Sequence, residues 1–201
     1  RMLLHFPGGA YVVRLPNMER AMLARLCTAA NARARIVFYR LAPEHPFPAG
    51  HQDCVGAYEQ LLALGTAPER IVISGISAGG GMALGVLLAI RDRGLRLPAG
   101  AILMSPLTDL TDPHDGSRVS NAARDPVLSH KRGMEMRAMY VSGETESMVH
   151  PYVSPVFGDF TGLPPLFFQA GSTEILLDDS RRCVERARAA GVAAELESWK
   201  D

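Results

Sequence analysis

Ile71-Val72-Ile73-Ser74-Gly75-Ile76-Ser77-Ala78-Gly79-Gly80-Gly81-Met82-Ala83-Leu84-Gly85 is the stretch on which the fold turns. An apolar run of strand length passes through one tight turn into residues of helical period. Small residues stand two before and two after Ser77, and a turn this sharp needs them because it presses its own backbone against neighbouring chain. The turn lifts the Ser77 hydroxyl from the carboxyl end of its strand and leaves the Ala78 N–H, at the helix start, able to donate to a developing oxyanion. Two other readings fit glycines after a strand: a helix packed close on a sheet, and a phosphate loop. The second lacks the lysine that a Walker loop sets after its glycines. Ser77 is therefore the candidate nucleophile.

Working outward, short apolar runs at 2–6, 36–39, 71–74, 101–104, 166–170 and 193–199 read as strands. Stretches 18–32, 53–64, 77–93, 130–141 and 178–190 carry apolar residues three and four apart and read as helices. Their alternation predicts an α/β fold, a mostly parallel sheet with helices on both faces, in one domain over 1–201. Polar stretches at 107–125 and 142–161 break the rhythm and predict an excursion above the sheet over about 107–161, a partial cap or active-site loops. Pro7-Gly8-Gly9-Ala10-Tyr11 leaves the first strand, where small residues let consecutive N–H groups point at one site. Taken alone, that loop reads equally well as an ordinary glycine turn.

The 201 residues are 47% hydrophobic, enough for one core, and 21 Lys+Arg balance 21 Asp+Glu. This balance removes the long-range field of a nucleic-acid binder and suits a small neutral substrate. Cys27, Cys54 and Cys183 are odd in number and far apart, so neither a disulfide framework nor a metal site is expected. No apolar run reaches the roughly 18 residues of a membrane span, and a cytoplasmic location is the expectation.

The loop at 7–11, the run Tyr39-Arg40-Leu41-Ala42-Pro43-Glu44, the serine turn, Ser105-Pro106-Leu107-Thr108-Asp109-Leu110 and Gly171-Ser172-Thr173-Glu174-Ile175-Leu176-Leu177-Asp178-Asp179 occur in that order. In this the chain resembles the bacterial hormone-sensitive-lipase-like esterases of the α/β-hydrolase superfamily. The resemblance implies hydrolysis of short-chain carboxylic esters through an acyl-enzyme on Ser77, a small-molecule ester substrate and no cofactor, and it leaves a homodimer open. It maps oxyanion donors to Gly9 and Ala10, with Gly8 beside them and Ala78 from the turn. Pro7 stands where the family has His, and Ile76 where it usually has Asp. Glu174 takes the position of the acid that orients the base; Asp178 and Asp179 compete for that role but have a sufficient one at a helix N-terminus. Arg40, Glu44 and Asp53 read as structural. The base should be a His after the last strand, yet all six histidines, His5, His45, His51, His114, His130 and His150, precede Glu174. The expectation is a chain clipped at both ends, inactive alone, with its catalytic His beyond Asp201. A receptor-like protein that keeps the pocket and loses the histidine is the alternative, and a peptidase or amidase a third reading.

Overall fold

Six strands form one parallel sheet: β1 (Met2–Phe6), β2 (Arg33–Ile36), β3 (Ile71–Ile76), β4 (Gly100–Met104), β5 (Leu166–Gly171) and β6 (Ala194–Trp199), in the order β2-β1-β3-β4-β5-β6. The computed structural model describes residues 1–111, 113–128, 130–142 and 145–200, and of these all side chains except His130, Lys131, Arg132, Met134, Thr145 and Glu146. Leu4, Phe6, Ile71, Ile73, Leu103 and Phe168 on the inner strands are fully buried, as a sheet covered on both faces requires.

Four helices connect the strands: α1 (Pro16–Ala30), α2 (Ala49–Ala63), α3 (Ala78–Asp92) and α6 (Leu177–Ala189); α4 (Gly116–Ser120) and α5 (His130–Tyr140) lie between β4 and β5. Right-handed crossovers put α1, which steps outward from β1 to β2, on one face, and α2, α3 and α6, which step the other way, on the other. The α3 helix is buried from Ala78 through Ile90. Met82, Leu84, Leu87 and Leu88 are among its fully buried side chains, each contributing roughly 1.5–3 kcal/mol.

The second strand differs from the sequence reading, which set it at 36–39. It runs over Arg33–Ile36 and pairs with β1 from Met2↔Arg33 to His5↔Ile36. An edge strand of this sheet tolerates polar residues, so apolar content does not mark it. The apolar residues beyond Ile36 leave the sheet after the Val37 N–H bonds the His5 carbonyl at 3.0 Å. The α2 helix begins at Ala49, four residues before the expected start, because Pro48 closes the preceding turn as its N-cap.

All three cysteines are free: Cys54 and Cys183 buried, Cys27 half-buried on α1. Burial raises the Cys54 thiol pKa and pushes that of Cys183 up to about 12. Among the described residues no helix is long and apolar enough to cross a membrane.

Candidate active site

Between the end of β3 at Ile76 and the start of α3 at Ala78, Ser77 alone makes the turn, at φ 55° and ψ −124°. This backbone is strained for a residue with a Cβ and persists only where the surroundings over-determine it. They do. The Ser77 N–H donates to the Met104 carbonyl at 2.9 Å, and its own carbonyl accepts the N–H groups of Gly80, Gly81 and Leu107 at 2.9, 3.2 and 2.9 Å. A Cβ on Gly75 would lie 2.0 Å from the Gly79 carbonyl oxygen, and one on Gly79 would lie 2.0 Å from that of Phe6. The small flanking residues are thus a steric requirement of the turn.

Beside it, β1 delivers the loop that starts at Pro7. Gly9, Ala10 and Tyr11 follow one another at φ 117°, 51° and 66°. The loop passes so close to the serine that a Cβ on Gly8 would sit 3.4 Å from the Ser77 Cβ. Gly8 donates its N–H to Glu19 Oε1 at 3.0 Å, so it anchors the loop and is not one of its free donors. Among the described residues, the N–H groups of Gly9, Ala10 and Ala78 meet no acceptor. Free N–H donors on the serine turn and on the loop beside it are the kind of group that binds a negative oxygen.

The 39–49 stretch braces this loop from behind. The Tyr39 hydroxyl donates to the Pro7 carbonyl at 2.8 Å and the Ala42 N–H to the Tyr11 carbonyl at 3.0 Å. Tyr11 stacks on Tyr140 with ring centroids 3.9 Å apart. Arg40 spends its charge on Asp53, at 2.8 Å from Oδ1.

At the carboxyl end of β5, Glu174 Oε1 accepts the Ser105 hydroxyl at 2.9 Å and the Gly171 N–H at 2.8 Å. Its Oε2 has no partner among the described residues. Asn121 holds the same loop by donating to the Ser172 and Glu174 carbonyls at 3.1 and 3.0 Å, and Asp125 accepts the Ile175 N–H at 2.9 Å. Sequence reasoning missed Ser105, Asn121 and Asp125 as supports because their partners are distant in the chain. Strands β3 and β5 are separated by β4, so Ser77 and Glu174 rise from positions about 10 Å apart, a gap one side chain can bridge.

The two rival acids are occupied. Asp178 accepts the Ser117 N–H at 2.6 Å and pairs with Arg181 at 2.9 Å. Asp179, wholly buried, accepts the Thr108 and Asp109 N–H groups at 2.7 and 3.0 Å and pairs with Arg118 at 2.8 Å. Burial raises its pKa against the pull of Arg118 and the two amides. Both fasten α4 and the segment after β4 to the start of α6.

Neither Ser77 nor Glu174 makes a hydrogen bond to a histidine among the described residues. His5 is fully buried between Ser74 Oγ at 2.8 Å and Glu19 Oε2 at 2.7 Å, a serine–histidine–carboxylate row that burial, not geometry, removes from chemistry. His51 is buried and stacked on Tyr152, with centroids 5.0 Å apart; loss of hydration lowers its pKa to about 4, against the opposing pull of the Gly85 backbone. His45, His114 and His150 are exposed, and the His130 side chain lies outside the described ones.

A model of the alpha/beta hydrolase fold matches residues 3–201. An acetyl-hydrolase of Streptomyces hygroscopicus is 40% identical over 201 residues, 100% of this chain and 66% of its own length. An esterase of Acinetobacter venetianus is 38% identical over 99% of this chain and 65% of its own. Among solved structures, an esterase from the bacterial hormone-sensitive lipase family superposes with a TM-score of 0.95 at 42% identity, over 100% of this chain and 66% of that one. The chain thus spans just under two thirds of the length of these relatives. Fold, turn and loop agree with these likenesses, and the chain belongs to the α/β-hydrolase fold family, in its bacterial hormone-sensitive-lipase branch.

Proposed function

We propose that the protein is a serine carboxylesterase that hydrolyses short-chain esters through an acyl-enzyme on Ser77. The Ser77 oxygen adds to the ester carbonyl while a base takes its proton, and the carbonyl oxygen, now negative, is received by the N–H groups of Gly9, Ala10 and Ala78. Collapse of the adduct expels the alcohol. Water then adds to the acyl-serine, and a second collapse returns the free hydroxyl and the acid. Glu174, with Oε2 unengaged, is the carboxylate that orients the imidazole base. The reading rests above all on one observation: a strained serine stands beside a loop whose free N–H groups, those of Gly9 and Ala10, open a run of three residues of positive φ. Crystals of a solved relative, EstE5, 43% identical with a TM-score of 0.94, were soaked with p-nitrophenyl butyrate, and that ester is the first to try.

The proposal includes one hydrolase domain over 1–201 with an excursion at about 107–161, no cofactor, no nucleic-acid partner and a cytoplasmic setting; a homodimer stays open, and sedimentation tests it. With no histidine on Ser77 or Glu174, residues 1–201 alone are expected to turn over little p-nitrophenyl butyrate, and added imidazole to raise the rate. In the whole protein, Ser77→Ala should lower turnover about 10⁴-fold or more. Unchanged turnover in Ser77→Ala would end the serine mechanism. The same lack of a histidine contact favours a second reading, a non-catalytic receptor for a small ligand. In the whole protein, an organophosphonate that labels Ser77 in the wild type and not in Ser77→Ala supports the esterase; an inert Ser77 with retained ligand binding supports the receptor.

A further inference from the structure

Under the oxyanion loop runs a row of polar groups that ester hydrolysis itself does not use. Glu19, in the first turn of α1, has no exposed surface, although α1 otherwise buries only Leu23. Its two oxygens are divided between two partners: Oε1 accepts the Gly8 N–H at 3.0 Å, and Oε2 lies 2.7 Å from His5 Nε2. His5 Nδ1 lies 2.8 Å from the hydroxyl oxygen of Ser74, and His5 and Ser74 face each other in the β1–β3 register. A carboxylate only accepts, so the imidazole donates from Nε2 to Glu19, and its Nδ1 closes the row on the Ser74 hydroxyl. The row therefore runs from Ser74, on the strand that leads to Ser77 and three residues before it, through His5 and Glu19 to the backbone of the loop.

A carboxylate withdrawn from water on a mostly exposed helix is unfavourable unless its partners compensate, and here one partner is the loop itself. We propose that Glu19 is a positioning residue of the hydrolase: by holding the Gly8 N–H, with His5 tying it to β3, it fixes the peptide planes of Gly9 and Ala10 against Ser77. The proposal rests on the esterase reading of that site. Turning the Gly8 N–H inward is what leaves the next two N–H groups to the substrate side. Pro7, where the family has His, brings no side-chain hydrogen-bond donor of its own to this place, and the support comes instead from Glu19, with His5 behind it.

The test uses three variants. Glu19→Gln keeps an acceptor for Gly8 and meets His5 with a donor, which the imidazole accepts at Nε2 by carrying its proton on Nδ1 toward Ser74 Oγ; Glu19→Leu removes both contacts; His5→Phe with Glu19→Leu replaces the buried pair by apolar groups and keeps the chain folded if the single change does not. In the whole protein, with p-nitrophenyl butyrate, Glu19→Leu and the double variant are expected to lower kcat tenfold to a hundredfold with KM within about twofold, and Glu19→Gln to stay within about threefold of wild type. In parallel, amide hydrogen exchange at Gly8 should speed up at least about tenfold in the double variant while the α3 amides keep their protection. Unchanged Gly8 exchange, or an unchanged kcat in the folded double variant, overturns the positioning role. Turnover that survives Ser77→Ala overturns the esterase reading instead, and the exchange measurement then still decides whether Glu19 holds the loop.

Discussion

Glu174, Asp178 and Asp179 are three carboxylates within six residues, and what each already holds separates them. Asp179 is committed to two amides and Arg118, and Asp178 to the Ser117 N–H and Arg181, whereas Glu174 keeps one oxygen without a partner. In the whole protein, Glu174→Gln keeps the shape and is expected to lower kcat about 10³-fold or more by failing to orient the base. Asp178→Asn is expected to leave kcat within a few fold and to lower stability by about 1 kcal/mol through its weakened bond to Ser117. Turnover of p-nitrophenyl butyrate beside urea unfolding checks both; a larger loss of kcat in folded Asp178→Asn would transfer the role. The candidates themselves were legible because Ser77 and Glu174 sit in short local patterns. Glu19, Ser105 and Asn121 were not, since each acts through a partner brought near only by the sheet, and no spacing along the chain announces that.

At the scale of the element, the β3–turn–α3 unit carries most of the site, and its glycines are there for space. In Gly79→Ala the new methyl would meet the Phe6 carbonyl at 2.0 Å, so β1 or α3 must shift. The expected loss is about 3 kcal/mol, at the severe end of overpacking, with the oxyanion loop displaced along with Phe6. Gly56 in α2 is the contrast: a Cβ there meets nothing within 4 Å, and Gly56→Ala is expected to stabilise by about 0.5–1 kcal/mol through helix propensity. Paired denaturation curves measure the difference; equal stabilities would mean that the backbone around Gly79 yields freely. This unit was readable in advance because strand, turn and helix each left a mark in one continuous stretch. The β2 strand left none: two of its four residues are arginines, none is buried, and it is paired on one side in this sheet, so its position follows from β1 and not from its own residues.

Across the whole molecule, stability should fall in mild acid, with His51 as one identifiable source. In the unfolded chain its imidazole takes a proton near pH 6.5; in the fold, burial delays this to about 4. The folded state thus binds fewer protons between these values, so the His51 contribution is complete above pH 6.5 and declines as pH drops, by roughly 3 kcal/mol at pH 4. Comparing urea unfolding of wild type and His51→Phe at pH 7 and 4.5, the variant is expected to lose roughly 2–3 kcal/mol less on acidification. Equal losses would assign the acid sensitivity to other groups. Chain order and composition made the parallel α/β layout readable; the packing of His51 between Phe47 and Tyr152 depends on how α2 meets the connection between β4 and β5, which periodicity does not encode.

The uneven burial of the three thiols gives the protein a built-in attachment point. Near neutral pH, Cys54 and Cys183 are sealed in the core as thiols, so a maleimide or iodoacetamide meets Cys27 first. Cys27 lies on the helix that carries Glu19. A fluorophore placed there without any engineered cysteine would report the seating of that helix under the oxyanion loop, and the two silent thiols would become countable only when the core opens.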